Sequence, residues 1–179
     1  VKVKTLVVAA LFAALVTLGA YISLPIPFIP GVPFTLQLLV VILTGIILEA
    51  NQAALAIGVY ILLGLIGVPV FHAGTAGPAV LLGPTGGYLL GFLTAAYFIG
   101  RLKRRVPGTG GIFAIAVAAV LLMHLVGLVQ LVAVTGVAPA QAFVGFALPF
   151  LPVDLVKVAV AVPLGLRIRR TLEKGGLLN

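Results

Sequence analysis

Charged side chains cut the chain into three long apolar stretches. No Asp, Glu, Lys or Arg occurs at positions 5–48, 50–100 or 106–153. A membrane-spanning helix needs about 20 predominantly apolar residues, so each stretch holds two passes, or one long pass with a return loop. Gly and Pro mark the breaks: PIPFIPGVPF at 25–34 divides the first stretch and GVPVFHAGTAGPAVLLGPTGG at 67–87 interrupts the second. The pattern predicts helices at about 5–24, 35–49, 52–68, 87–102, 111–135 and 150–170, the second and third joined by a tight turn at 49–52. The apolar run 6–24 exceeds the roughly 7–15-residue core of a signal peptide. It is therefore read as the first of six transmembrane helices, and residues 1–179 as one such domain with no domain outside the membrane.

Composition agrees. The chain is 63% hydrophobic and 8% charged, with a mean hydropathy of +1.36, whereas a soluble domain is about 45–50% apolar and about 25% charged. The expected class is an all-α integral membrane protein. A net charge of +8 would suggest nucleic acid on a soluble protein, but here the charges flank apolar segments and point to the bilayer instead. Six helices put Lys2, Lys4, Arg101, Lys103, Arg104, Arg105, Arg167, Arg169, Arg170 and Lys174 on one side, leaving only Lys157 elsewhere. By the positive-inside rule that side is cytoplasmic and holds both termini. Five or seven helices would split the two terminal basic clusters. The arginine clusters are read as topology and headgroup anchors, and Glu49 as a solvated turn residue.

Lys157 breaks the pattern. It stands three residues after Asp154 in LPVDLVKVAVAVP, inside an apolar run. Pro152 suits the first turn of a helix, the helix dipole favours an anion at Asp154, and i,i+3 spacing puts both side chains on one face. Lys157 lies only about 9 Å from the helix start, in the outer half of the membrane. Such a pair can lock helix packing or bind a polar ligand. Ionisable residues inside a membrane usually line a cavity or pathway, which favours a substrate site.

Other polar groups fall on the same outer side. GPTGGYLLGF at 83–92 opens the fourth helix: Gly83, Gly86 and Gly87 allow close backbone approach, Thr85 can cap the helix, and Tyr88 adds a ring with a polar tip. A helix start there would attract a carboxylate, although close helix packing explains the glycines equally well. Phe71, Gly74 and Thr75 belong to an uncharged segment suited to a lid over a buried ligand. Thr35 and Gln37 begin the second helix. His72 faces water or the lid, and His124 and Gln130 are expected to hydrogen-bond neighbouring helices. On the first helix, Ala9 with Ala13 and Ala10 with Ala14 form two small-xxx-small pairs that permit close helix approach, within this chain or to another subunit.

Several activities are excluded. There is no cysteine, hence no disulfide or thiolate metal site, and no metal ligand set is apparent. No G-x-x-x-x-G-K-[ST] occurs, so the chain has no P-loop for ATP. Its acids, Glu49, Asp154 and Glu173, are too scattered for paired-carboxylate catalysis, and Ser23 is its one serine. An enzyme is not expected. No internal repeat is evident, which argues against a self-sufficient transporter.

VPFTLQ, YILLGLIGVPVF, LLGPTGGYLLGF and LPVDLVK, in this order, resemble the BioY family, the biotin-binding S-components of energy-coupling factor (ECF) transporters. The resemblance covers essentially the whole chain. It implies an S-component-like six-helix bundle in a prokaryotic plasma membrane that captures biotin from outside with high affinity. It also implies a transmembrane coupling subunit and two ATP-binding cassette ATPase subunits as partners, with ATP hydrolysis on those partners and no cofactor here. By the same resemblance Asp154 and Lys157 contact the ligand, and the alanine face of the first helix docks to the partners. A carboxylate and an ammonium suit the N–H and carbonyl of the ureido ring, which would send the valerate tail towards 71–77 or the backbone donors of 83–88. The turn LEANQAA at 48–54 is more polar than the family's usual glycine-containing turn. Another vitamin as ligand, or transport without partners, are the competing readings.

Overall fold

The computed structural model describes residues 3–24 and 34–176. Lys2 and the proline-rich break at 25–33 lie outside the described residues. Among those described, the order is α1 (Val3–Tyr21), β1 (Ser23–Leu24), β2 (Phe34–Thr35), α2 (Gln37–Ile47), α3 (Ala50–Leu65), a 3-10 turn (His72–Gly74), α4 (Pro78–Leu82), α5 (Gly86–Leu102), α6 (Gly108–Thr135), α7 (Pro139–Phe146) and α8 (Leu151–Lys174). The six longer helices overlap the six predicted segments, but several boundaries and one loop differ.

The first helix stops at Tyr21 rather than at 24, because Ser23 and Leu24 pair antiparallel with Thr35 and Phe34. Thr35 is consequently a strand residue and the second helix starts only at Gln37. The two-residue ladder occupies backbone groups that a helix end would leave unpaired in lipid. The third helix ends at Leu65, and Gly67 takes a φ of 98° just beyond it. Residues 139–146, predicted as loop, form α7, with Pro139 in the first turn. A break of four residues bends α7 by 53° from α8.

By length and composition α1 and α6 are each able to cross a membrane, and the bent pair α7–α8 would make a third span. Helix α2 has 11 residues, about 16 Å, well short of a hydrocarbon core of roughly 30 Å. It is also central: Leu38, Val41, Ile42, Thr44, Ile46 and Ile47 are all buried, and it packs on α1, α5 and α8. Lipid tails provide no hydrophobic drive between helices, so such contacts depend on close packing. At Gly45 an added Cβ would lie 2.8 Å from Ile99 Cβ and 2.9 Å from the Ala96 carbonyl, which shows how near α5 comes.

The C-terminal end of α2 is bound by cations. Lys103 is buried and its Nζ donates to the carbonyls of Gly45 (3.0 Å), Ile46 (2.9 Å) and Leu48. Glu49 accepts from Arg104 Nη2 at 2.9 Å and Arg169 Nη2 at 3.0 Å. Lys103 and Arg169 are thus internal ties rather than headgroup anchors, and Glu49 is ion-paired rather than merely solvated. Lys4 Nζ donates to the Gly176 carbonyl at 3.3 Å, which brings the start of α1 near the end of α8.

The two alanine pairs separate. Ala9 and Ala13 are buried in the core, while Ala10 and Ala14 are exposed. A helix turns 100° per residue, so adjacent positions cannot share one narrow face. Ala9 and Ala13 pack inside this chain and are withdrawn from the expected docking surface.

Candidate functional site

The start of α8 builds the charged floor of a cavity. Pro152 sits in the first turn, and the Asp154 N–H donates to the Phe150 carbonyl at 2.9 Å, continuing the turn before it into the helix. Asp154 is 3% exposed and Lys157 8%, and Lys157 Nζ donates to Asp154 Oδ1 at 2.9 Å. The other carboxylate oxygen, Oδ2, lies 2.9 Å from Nε2 of His124 on α6. An ionised carboxylate only accepts, so the imidazole nitrogen is the donor. Asp154 therefore ties the first turn of α8 to the middle of α6.

The cavity has a volume of about 440 Å³, within the roughly 300–1,000 Å³ of small-molecule sites. Its lining comes from β2, α2, α5, α6, α7 and α8 and from the segment 71–85. Phe34 and Phe150 lie side by side, ring centroids 4.6 Å apart, and Lys157 Nζ is 5.7 Å from the Phe34 ring centre. Tyr88 meets His124 edge to face at 5.7 Å, and its hydroxyl donates to the Phe146 carbonyl at 2.9 Å. Gln37 Nε2 donates to the Tyr60 hydroxyl at 2.6 Å, which leaves its amide oxygen for another partner.

The segment 71–75 is folded on itself. The Phe71 N–H donates to the Thr75 carbonyl and the Thr75 N–H to the His72 carbonyl, both at 3.1 Å. Gly64 opens the space for Phe71: a Cβ there would stand 2.0 Å from Phe71 Cζ. Gln130 Nε2 donates to the carbonyls of Leu81 (2.6 Å) and Gly83 (2.8 Å), fastening the end of α4 to α6.

Of the residues expected at the site, Thr35, Gln37, Phe71, Thr75, Gly83, Thr85, Tyr88, Asp154 and Lys157 line this one cavity. Gly74, Gly86 and Gly87 do not. An added Cβ on Gly86 would meet the Leu81 carbonyl at 1.8 Å, and one on Gly87 the Val126 carbonyl at 2.8 Å. Both glycines serve close packing. The N–H groups of Gly86 and Tyr88 are bonded to the carbonyls of Gly83 and Thr85, so these two are not free donors for a carboxylate. Thr85 occupies the N-cap position of α5 but makes no side-chain cap. Its ψ of −6° lies far from the extended value usual for a cap. His72 and His124 both line the cavity. The sequence places His72 at water or the lid and gives His124 a hydrogen bond to a neighbouring helix, but a lone polar residue on an apolar helix does not reveal which neighbour it faces.

Residues 1–174 match the BioY family. The chain belongs to the BioY family. It is 37% identical over 167 residues to the biotin transporter BioY of Thermotoga maritima, covering 93% of this chain and 96% of that protein. It is 38% identical over 178 residues to biotin transporter BioY2 of Lactococcus lactis subsp. cremoris, with 96% and 93% covered. The fold matches the crystal structure of an S-component for biotin from an ECF-type ABC transporter, with a TM-score of 0.84 and 30% identity over 94% of this chain and 92% of that one. BioY relatives are membrane transport proteins rather than enzymes, and the helical architecture described above is that of an ECF S-component.

Proposed function

We propose that this protein captures biotin at the outer side of a prokaryotic plasma membrane and delivers it inward as the S-component of an ECF importer. The carrying observation is the buried Asp154–Lys157 pair facing a largely apolar cavity. Biotin offers two ureido N–H donors, one carbonyl acceptor and an apolar tail. A carboxylate has about four lone-pair sites and an ammonium three donors. With one Lys157 and one His124 bond already made, Asp154 keeps an acceptor for one ureido N–H and Lys157 keeps donors for the carbonyl beside it. Thr35, Gln37, Thr75, Thr85 and Tyr88 line the path towards the lid.

The basic ends of α1, α5 and α8 support six passes with both termini cytoplasmic. Arg169 is fifteen positions beyond Asp154 on α8, about 22 Å along the axis, which puts the cavity at the opposite end of the bundle. The ECF S-component likeness implies ATP hydrolysis on two ATPase subunits working through a transmembrane coupling subunit, and a sequence without a P-loop is in keeping with that. Exposed Ala10 and Ala14 offer that subunit a small-residue stripe.

Titration of ligand-free protein in detergent tests this reading. Biotin should raise the melting temperature as RT ln(1 + [L]/Kd) grows, while thiamine and riboflavin should not. Asp154→Asn and Lys157→Ala should each weaken biotin binding at least about tenfold, the loss expected when one partner of a buried charged hydrogen bond is removed. Wild-type affinity in both variants would overturn the site.

A further inference from the structure

His124 belongs to no motif in the sequence, yet its Nε2 holds one of the two oxygens of the acid at the cavity floor. It is 5% exposed, and among the described residues its Nδ1 is buried without a partner. A buried polar atom of this kind is uncommon in an apolar helix core, so packing alone is a poor reason for a histidine here. The bond it makes among the described residues runs to Asp154.

The geometry of that bond matters for the ligand. A carboxylate free to rotate about its Cβ–Cγ bond can satisfy Lys157 with either oxygen in many orientations. With Oδ1 bonded to Lys157 on its own helix and Oδ2 to His124 on α6, the rotation is fixed from two elements. Each oxygen then presents its remaining lone pair in a set direction, which suits a ligand whose N–H donor lies beside a carbonyl that Lys157 can reach. Tyr88, edge-on to the imidazole and anchored through its hydroxyl to Phe146, limits the ring in turn. A preorganised acceptor pair spares the ligand the cost of ordering it.

We propose that His124 is a positioning residue for ligand binding, orienting Asp154 through Nε2 so that a carboxylate oxygen receives a ureido N–H donor while Lys157 faces the neighbouring carbonyl. This rests on the biotin reading above. Calorimetric titration of biotin into wild type, His124→Leu, His124→Gln and His124→Asn tests it, with ligand-free melting temperatures measured alongside. Leucine removes the donor. Glutamine carries an N–H group at the same ε position and should restore affinity to within about threefold. Asparagine is too short to reach Oδ2. The expected result is a loss of about tenfold to a hundredfold for leucine and asparagine, and rescue by glutamine. In an Asp154→Asn background the leucine substitution should add almost nothing, because the group it positions is gone.

If wild type binds biotin but leucine and glutamine variants bind equally well, the inference falls and the biotin reading stands. A leucine loss that glutamine fails to restore, or that persists undiminished beside Asp154→Asn, also overturns it and assigns His124 to packing. Should the leucine variant not fold, the glutamine–asparagine contrast decides the matter, and equal affinities reject the inference. No saturable binding by folded wild type would remove the biotin reading itself and this inference with it.

Discussion

Asp154 accepts from two side chains on different helices, and much of the site follows from that one residue. The pair with Lys157 is legible in the sequence, since i,i+3 spacing on a helix brings the two side chains together whatever surrounds them. The bond to His124 is not, because thirty residues and a helix reversal separate them. Glycines show the same division. Gly64 looks like any glycine in an apolar helix, but it is the floor under Phe71. Gly64→Ala should push the Phe71 ring from its place and disturb the lid. We expect biotin affinity to fall at least about tenfold, with a destabilisation of about 1–3 kcal/mol from overpacking. Calorimetry and thermal melting measure the two effects separately. Unchanged affinity would show that Phe71 does not set the ligand's enclosure.

At the scale of elements, long periodic segments were readable and short ones were not. Helices α5, α6 and α8 lie close to where apolar runs and turn residues put them. The β1–β2 pair has two residues on each strand, too few for any alternation to register. Helix α7 has eight residues in a segment that reads equally well as a loop. The turn after α2 was underestimated for another reason. Three carbonyls of its last turn converge on Lys103, whose charge in the sequence signalled only membrane topology. Replacing Lys103 with methionine would leave the Gly45, Ile46 and Leu48 carbonyls without that donor. The expected cost is about 1–3 kcal/mol of stability, seen as a lower melting temperature. Biotin affinity in the folded fraction should stay near wild type, because this cluster sits at the far end of α2 from the cavity. A loss of affinity as large as that of Asp154→Asn would mean that the two ends of the bundle are coupled.

For the molecule as a whole, the separation of a basic end from a cavity end predicts its orientation. The chain has no cysteine, so single introduced thiols report sidedness without background. Gly110→Cys and Lys174→Cys should react with an impermeant maleimide only after the membrane is opened, whereas Thr75→Cys should react from outside in intact cells. Labelling of Gly110→Cys and Lys174→Cys from opposite sides would break the six-pass arrangement. Composition and charge spacing were sufficient for a helical membrane protein with its cations at one end, since charges are costly in hydrocarbon and the rule acts on each segment separately. The choice of ligand-facing side chains required the assembled bundle. Which alanines face inward, which glycines admit a neighbour and which histidine reaches Asp154 are all contacts between helices distant in the chain. No local periodicity encodes the rotation of one helix against another, and that rotation is decided only when all of them pack.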